Sequence, residues 1–362
     1  MPLSDTETAR RDALAGRLFE AGVAAYDLLV VYLGDRLGLY RAMGDGAALT
    51  APGLAAKTGI APRYAREWLE HQAVGGFVEV DDVTADPDAR RYTLPTGHAA
   101  VLADPDTELP LAAMSRFVVG TAATMPAIQA AFRSGAGVDW ADYGADVVEA
   151  QEAFNKPVFL NHVHEWIADL PDIDARLRDG DGRIADVACG TGWSTIAMAR
   201  AFPGVQVDGL DLDPGSIERA KANAAAAGAG PNVAFLHADG AAADGAGSYD
   251  LVTIFEALHD MSQPVAVLES ARRLLAPGGA VLVADERTAD TFMAPGDELE
   301  RLFYGFSVTA CLPNGLVDQP SVGTGTVIRA STVEAMARDA GFSGFRVQPT
   351  KHEQFRLYRL DP

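Results

Sequence analysis

The stretch Ile184-Ala185-Asp186-Val187-Ala188-Cys189-Gly190-Thr191-Gly192 constrains this 362-residue chain more than any other. Four apolar residues around Asp186 read as a buried strand. The two glycines let the backbone turn sharply and approach a ligand closely. A helical pattern resumes at about Ser194, so free N–H groups at a helix tip face the turn. A strand that runs through Gly-x-Gly into a helix opens an α/β unit and commits the chain beyond it to alternation. That alternation is present. Strands are expected near 184–188, 205–210, 232–237, 249–255, 279–284, 343–348 and 354–359, with helices between the first five. The pattern predicts a parallel sheet with helices on both faces.

The same stretch narrows the ligand. No Gly-Lys-Ser/Thr follows, which disfavours a nucleoside triphosphate. A dinucleotide turn wants a third small residue, and position 195 is Thr. Asp186 lies inside the strand, where a carboxylate suits a cationic amino-acid end better than a pyrophosphate. Asp211 stands 19 residues after Gly192, at the end of the second strand, and can accept ribose hydroxyls. Asp239 follows the third strand, within reach of an adenine amino group. Each acid alone reads equally as a helix cap or turn residue. Three after three successive strands are hard to assign to capping alone.

Upstream, the pattern from about Leu14 to Met43 is helical. Leu14, Leu18, Ala21, Ala25, Leu28 and Leu29 keep a 3–4 residue spacing, as core or a subunit interface would. A short helix follows Thr50, and a second runs from Pro62 to Val74 until Gly75-Gly76 stops it. Phe77–Val80 and Arg91–Leu94 read as two strands around an Asp/Pro-rich loop. Helix-turn-helix plus hairpin is a winged helix. Residues 1–100 carry 10 Lys/Arg against 14 Asp/Glu, and the whole chain has a net charge of −21. A duplex-binding face needs clustered cations, so this module is expected to join subunits. Residues 106–178 read as connecting helices punctuated by Pro126. The domains expected are thus 1–105 (winged-helix dimerisation), 106–178 (connecting and substrate-lid helices) and 179–362 (catalytic).

The segment 184–284 resembles a class I S-adenosylmethionine-dependent methyltransferase. With the N-terminal region, nearly the full chain is similar to the winged-helix, homodimeric small-molecule O-methyltransferases of bacteria and plants, most like an actinobacterial branch. The resemblance implies a Rossmann-like sheet, S-adenosyl-L-methionine as cofactor, S-adenosyl-L-homocysteine as its product, and no metal. It implies cofactor contacts at Asp186, Ala188, Gly190, Gly192, Asp211, Leu212, Asp239, Gly240, Phe255 and Glu256. Tyr92–Gly97 is similar to the family's wing. Phe154-Asn155 is similar to the Phe-Asn of its cofactor-covering helix, but Lys156-Pro157-Val158 departs from the usual Met.

His259-Asp260 resembles the family's pair beyond the fourth strand, where the His takes a proton from a substrate hydroxyl. Methyl transfer from a sulfonium is an in-line displacement that needs an aligned nucleophile. A phenol titrates at about 10, and a His at about 6.5 can take its proton as the bond forms, for about 10²–10⁴-fold in rate. The alternative for His259 is a loop cap or pocket wall. Asp285, just past the fifth strand, is the expected supporting acid, and Glu286 could replace it. Substrate contacts are expected from Phe154, Asn155, His162, Phe303 and Phe306. Residues 303–328 read as a substrate wall or lid, or as plain packing. His162 and His164 lie two apart on a helix and face different ways, so no metal pair is read there. Two cysteines 122 residues apart, no leader-like N-terminus and no apolar run near the ~20 residues of a membrane span lead to a cytoplasmic expectation. The rival readings are C- or N-methylation by proximity, a ligand-responsive winged-helix transcriptional regulator, and a nicotinamide-dependent oxidoreductase.

Overall fold

The computed structural model describes residues 3–243 and 245–362. Contacts divide the chain into two units. The first runs to Ala122 and takes in Ala145–Phe154; the second comprises Ala123–Gly144 and Asn155–Pro362.

The first unit opens with α1 (Asp5–Arg36). Ser4 caps it by accepting the Glu7 N–H, and Asp5 and Glu7 place negative charge at the positive end of the helix. Next come α2 (Leu39–Met43), α3 (Ala51–Thr58) and α4 (Pro62–Val74). Thr50 caps α3 through the Gly53 N–H at 3.2 Å. Pro62 opens α4, where a missing N–H costs nothing. The wing is β1 (Glu79–Val80) antiparallel to β2 (Tyr92–Thr93), with Val80 opposite Tyr92. It is shorter than expected because the Phe77 and Val78 N–H groups bond back to the Gln72 carbonyl at the end of α4. Tyr40, Met43, Leu54, Leu69, Tyr92 and Leu94 fill the core. Tyr40 meets Trp68 edge-on at 5.1 Å, and its hydroxyl donates to Gln72 Oε1. α5 (Thr96–Leu102) follows. The α1 stripe turns out mostly bare: Val31 is buried, but Leu14, Leu18, Val23 and Tyr26 are exposed, and Phe19 is 75% exposed.

The unit boundaries fall within α6 (Ala113–Ser134) and at the start and middle of α7 (Gly144–Ala168). Proline punctuation predicts a break at Pro126, yet this residue sits inside α6. A proline removes one ladder bond, and the alanines around it (Ala122, Ala123, Ala127, Ala130 and Ala131) are the strongest helix formers.

In the second unit α8 (Pro171–Arg178) leads into a seven-stranded sheet. Its strands are β3 (Arg183–Val187), β4 (Gln206–Asp211), β5 (Val233–His237), β6 (Tyr249–Phe255), β7 (Leu275–Glu286), β8 (Gly344–Gln348) and β9 (Phe355–Asp361). They lie in the order β5-β4-β3-β6-β7-β9-β8. The first five are parallel; β9 runs antiparallel to β7 and to β8. α9 (Trp193–Ala201), α10 (Pro214–Ala226), α11 (Pro264–Leu274), α12 (Glu298–Phe306), α13 (Leu312–Gly315) and α14 (Ala330–Asp339) complete it. A π-helical turn, Ser307–Cys311, joins α12 to α13.

Strand alternation divides the core between the two faces. Ile184, Leu251, Leu282 and Leu357 pack with α7, α8 and α9 residues such as Val163, Leu177 and Met198. Their neighbours Ala185, Val252, Val283 and Tyr358 pack with α11 and α14 through Leu268, Ala271 and Val333. A strand buried on both faces reads as a continuous apolar run, which is why these strands were legible. The expected α/β sheet with helices on both faces, beside a mainly helical winged module, is the architecture found. β7 begins earlier than expected, because Leu275 already pairs with Tyr249 before the register shifts.

Candidate active site

Sheet order locates the crevice. From β3 the chain moves outward through β4 to β5, then returns to lay β6 on the other side of β3. Such a reversal leaves an opening at the carboxyl ends of the strands, where ligands bind in α/β sheets. Ala188 (φ 58°) follows β3, and Glu256 (φ 53°) follows β6. Among the described residues they are the two non-glycines in the left-handed region. Each costs about 1–3 kcal/mol, strain that clusters at functional sites. Gly192 needs its missing side chain: at φ 84° a Cβ would lie 2.7 Å from the Phe235 ring and 2.8 Å from Ala220. At Gly190 (φ 53°) a Cβ would point into open space, so the turn leaves a cradle beside it.

The three acids after the Gly-x-Gly turn and its neighbours have different surroundings. Asp186 is buried, and its carboxylate is taken up by three hydroxyls. Ser194 and Thr195 donate to Oδ2, both at 2.6 Å, and Thr253 donates to Oδ1 at 2.8 Å. It thereby ties β3 to β6 and to the first turn of α9. Burial pushes its carboxyl up, against the pull of those hydroxyls. Asp211 accepts the Gly190 N–H at 2.7 Å and the Asp213 N–H at 2.9 Å. Burial raises its carboxyl too. Asp239 is exposed and caps the short turn Gly240–Ala242 through the Ala241 N–H at 2.8 Å. The ends of β4 and β5 are stitched by the Ala238 N–H on the Asp211 carbonyl and by His237 Nε2 on the Leu212 carbonyl. Asp211, Leu212, Asp239 and Gly240 therefore share one edge. The Leu212 side chain is 60% exposed there. Phe255 instead lies in the core, stacked on Phe159 at 5.9 Å and edge-on to Trp166 at 5.6 Å.

In the turn after β6 the fold gathers titratable groups around His259, which is 2% exposed. His259 Nδ1 donates to Asp285 Oδ1 at 2.7 Å and lies 3.1 Å from Glu286 Oε2. Nε2 lies 3.3 Å from Asp260 Oδ1. Asp285 and Glu286 end β7, the strand beside β6, so strand adjacency places them against the loop that carries His259. Burial pulls the His259 imidazole down, but Asp285, Glu286 and Asp260 together lift it well above 6.5. Burial drives the Glu286 carboxyl well up, helped by Asp285 beside it. Asp285, facing the imidazolium, is held below the usual carboxylate range. Burial raises Asp260. The cluster therefore joins an imidazole pulled toward its charged form by Asp285 to a Glu286 carboxyl pushed toward its neutral one.

Residues 303–328 pack onto this loop. The Gly325 N–H donates to the His259 carbonyl at 3.2 Å, and the Val322 N–H to the Ser262 carbonyl at 3.0 Å. The Ser262 hydroxyl donates to the Gly315 carbonyl at 3.1 Å. The π-turn ends at Cys311, whose thiol reaches Asp260 and His259; burial pushes it up to about 12. Strand position pointed to Asp285 and allowed Glu286, but nothing about a cysteine 52 residues after His259 signalled its place.

The remaining expected contacts scatter. Phe154 belongs to the first unit, where it packs on Phe117 at 5.8 Å. Asn155 begins the next stretch of the second unit. Beside it, Lys156 sets its ammonium 5.0 Å from the Trp193 ring centroid, above the helix that follows the Gly-x-Gly turn. His162 stacks on Trp166 and meets His352 edge-on at 5.2 Å. Phe303 is buried and Phe306 half-buried.

Known proteins resemble parts of this chain. A methyltransferase-domain family matches residues 184–279, and an Rv2258c-like winged helix-turn-helix domain family matches residues 24–104. The ubiquinone biosynthesis O-methyltransferase of Xanthomonas axonopodis pv. citri (strain 306) is 33% identical over 115 residues, 32% of this chain and 47% of that protein. The chain thus spans about half the length of the curated relatives it matches. The solved mitomycin 7-O-methyltransferase MmcR superposes with a TM-score of 0.72 at 21% identity, covering 98% of this chain and 99% of that one. Human N-acetylserotonin methyltransferase, solved with SAM, gives 0.67 at 16% identity over 100% of both chains. At such identities the superpositions speak for the fold. Residues 184–279 are a methyltransferase domain, and the chain joins it to an N-terminal winged helix-turn-helix domain.

Proposed function

We propose that this chain transfers a methyl group from S-adenosylmethionine to a hydroxyl of a small aromatic or apolar metabolite, with His259 as general base. The observation that carries this reading is His259 in the turn after β6, the strand beside β3 and its Gly-x-Gly turn, with Nδ1 held by Asp285 at 2.7 Å.

The residues at the crevice suit the cofactor. The open space at Gly190 leaves room for a close ligand. Asp211 spends one lone pair of each oxygen on a backbone N–H and keeps the others for ribose hydroxyls. Leu212 offers an apolar face and Asp239 a free carboxylate oxygen for the adenine edge. Asp186, already bonded three times, acts from beneath by holding the turn in shape. S-Adenosylmethionine, when bound, supplies an electrophilic methyl on a sulfonium.

The chain does the rest. Asp285 fixes the imidazole so that Nε2 is the nitrogen left to exchange a proton with the acceptor. The surrounding carboxyl groups hold the imidazole toward its protonated form. His259 must release its proton before it can accept one, and positive charge brought near an imidazolium favours that release. Once neutral, an imidazole of raised pKa is a correspondingly stronger base. Segment 303–328, hydrogen-bonded to the loop, walls off that side from water.

The same reading makes the protein a cytoplasmic homodimer joined through the winged module. The bare apolar face of α1 supports that partner over DNA, as does the local excess of acids. No helix among the described residues is long and apolar enough to cross a membrane. The test is His259→Ala, assayed on phenolic acceptors by S-adenosylhomocysteine release and, separately, for S-adenosylhomocysteine binding. The expected result is a rate loss of about 10²–10⁴-fold with binding kept. An unchanged rate on a turned-over acceptor would leave proximity alone, as in C- or N-methylation.

A further inference from the structure

The crowding around His259 exceeds what a proton acceptor needs. One ligand atom each from His259, Asp260 and Cys311 lies within 4.8 Å of the others. They supply an imidazole nitrogen, a carboxylate oxygen and a thiol sulfur. His259 Nε2 and Asp260 Oδ1 stand 3.3 Å apart, close to the ~3.3 Å that separates two donors each about 2.0–2.1 Å from a tetrahedral zinc ion. Asp260 Oδ1 is buried, with the His259 imidazole and the Cys311 thiol beside it, and the Thr326 hydroxyl lies next to Cys311. Thr326 itself is 1% exposed. The far ring nitrogen is already oriented: Nδ1 donates to Asp285 at 2.7 Å, the outer carboxylate that metal-bound histidines characteristically have. Three carboxyl groups, those of Asp260, Asp285 and Glu286, converge on this single imidazole.

We propose that His259, Asp260 and Cys311 form a binding site for a divalent cation with affinity for sulfur, Zn²⁺ above all, and that its occupation switches the crevice off. A mixed nitrogen, oxygen and sulfur set of three suits zinc and leaves a fourth position open to water. Binding removes the proton from the Cys311 thiol and any proton on His259 Nε2, both going to solvent, so the bound form holds a thiolate and a neutral imidazole. The Nε2 lone pair that would take a proton from the acceptor then belongs to the metal. The ion acts as an inhibitor, separate from any cofactor. Its binding stands on the geometry alone, whereas the switch rests on the reading of His259 as base.

The experiment begins without acceptor or S-adenosylmethionine. Chelator-dialysed full-length protein is titrated with Co²⁺ and then Zn²⁺ at neutral pH. One Co²⁺ per chain should bring the visible bands of a tetrahedral ion and a near-ultraviolet thiolate-to-cobalt charge-transfer band, both lost as Zn²⁺ displaces it. Cys311→Ser, checked for fold by circular dichroism, should lose the charge-transfer band and bind Zn²⁺ roughly 100-fold more weakly or worse, since even outer-shell losses cost about 10–100-fold. Asp260→Asn should weaken Zn²⁺ while keeping the thiolate band, and it serves if the cysteine variant does not fold. A missing charge-transfer band, or equal zinc affinity in either folded variant, overturns the site. Zinc bound at one equivalent without slowing turnover of an acceptor overturns the switch.

Discussion

Asp186→Ala separates two roles for one carboxylate. A residue that contacts the cofactor would, when truncated, lower cofactor affinity and leave the fold alone. In the structure its oxygens are occupied by the hydroxyls of Ser194, Thr195 and Thr253, at 2.6, 2.6 and 2.8 Å. Truncation therefore strands three buried donors. A buried donor without a partner costs about 1–3 kcal/mol. Thr253 has a partial refuge, because its hydroxyl also lies 3.4 Å from the Ala185 carbonyl. Losing a buried carboxylate recovers some desolvation cost, since burial already raises its pKa. The net destabilisation should be about 3–5 kcal/mol, the range for breaking a buried polar network by removing one partner. For a domain of this size that corresponds to roughly 6–20 °C in Tm. The assays are denaturant unfolding and thermal melting of the variant, with S-adenosylhomocysteine titrated into whatever remains folded. A Tm within about 2 °C of the parent, together with a tenfold or greater loss of affinity, would refute the anchoring role and restore Asp186 as a direct ligand.

Three further outcomes are expected. The methyl-transfer rate should climb as pH rises above 6.5, because Asp285, Glu286 and Asp260 keep His259 protonated there against the effect of burial. Asp285→Asn removes the foremost of those carboxylates and should move the midpoint down; a parent profile already flat at 6.5 would contradict the raised imidazole. The sign for stability is opposite: a histidine whose folded pKa is raised stabilises fully below its ordinary value and loses that contribution as pH climbs through the folded one. The Tm should therefore fall on the alkaline side, and His259→Gln should flatten that fall. Finally, Leu18→Glu with Phe19→Glu, both on the bare face of α1, should halve the mass seen by light scattering from a dimer of 38.1 kDa chains. A parent that is already monomeric at micromolar concentration would remove α1 as the interface.

Legibility followed the range of the interactions that decide each feature. The sheet was readable because strands buried on both faces are short apolar runs, and Tyr249–Phe255 and Ala280–Ala284 are such runs with nothing to confuse them. The Gly-x-Gly turn was readable because its cause is local: left-handed φ at Gly190 and Gly192, and a Phe235 ring that tolerates no Cβ at the latter. Reading failed where a neighbour intervened. The Phe77 and Val78 N–H groups would have extended the wing had Gln72 not offered its carbonyl. Pro126 looked like a boundary because a proline is usually one, and only the helix-favouring alanines around it carry α6 through. The α1 stripe is a true amphipathic signal, yet periodicity cannot say whether an apolar face meets its own chain or another copy.

The candidate site shows the same limit at the scale of single lone pairs. Sequence reading found the acids at the strand ends because residue type and strand position suffice for that. How each carboxylate is used depends on groups that arrive from elsewhere. Asp211 and Asp186 looked alike as acids of consecutive strands, but one faces the crevice with lone pairs to spare and the other is consumed. A signal for the difference was present: Ser194-Thr195 directly follow Gly192-Trp193, and Thr253 is a hydroxyl amid the apolar run of β6. Three hydroxyls converging on one buried carboxylate is a packing solution, because an unpaired carboxylate there would be far costlier. Asp285 was within reach of the same logic, since the fourth and fifth strands of a parallel run are neighbours by default. Cys311 was not. It reaches Asp260 only because a π-helical turn ends there and the chain beyond it is hydrogen-bonded back to the His259 loop at Gly325. A single extra residue in that turn changes which side chain arrives, and no periodicity in the sequence records it.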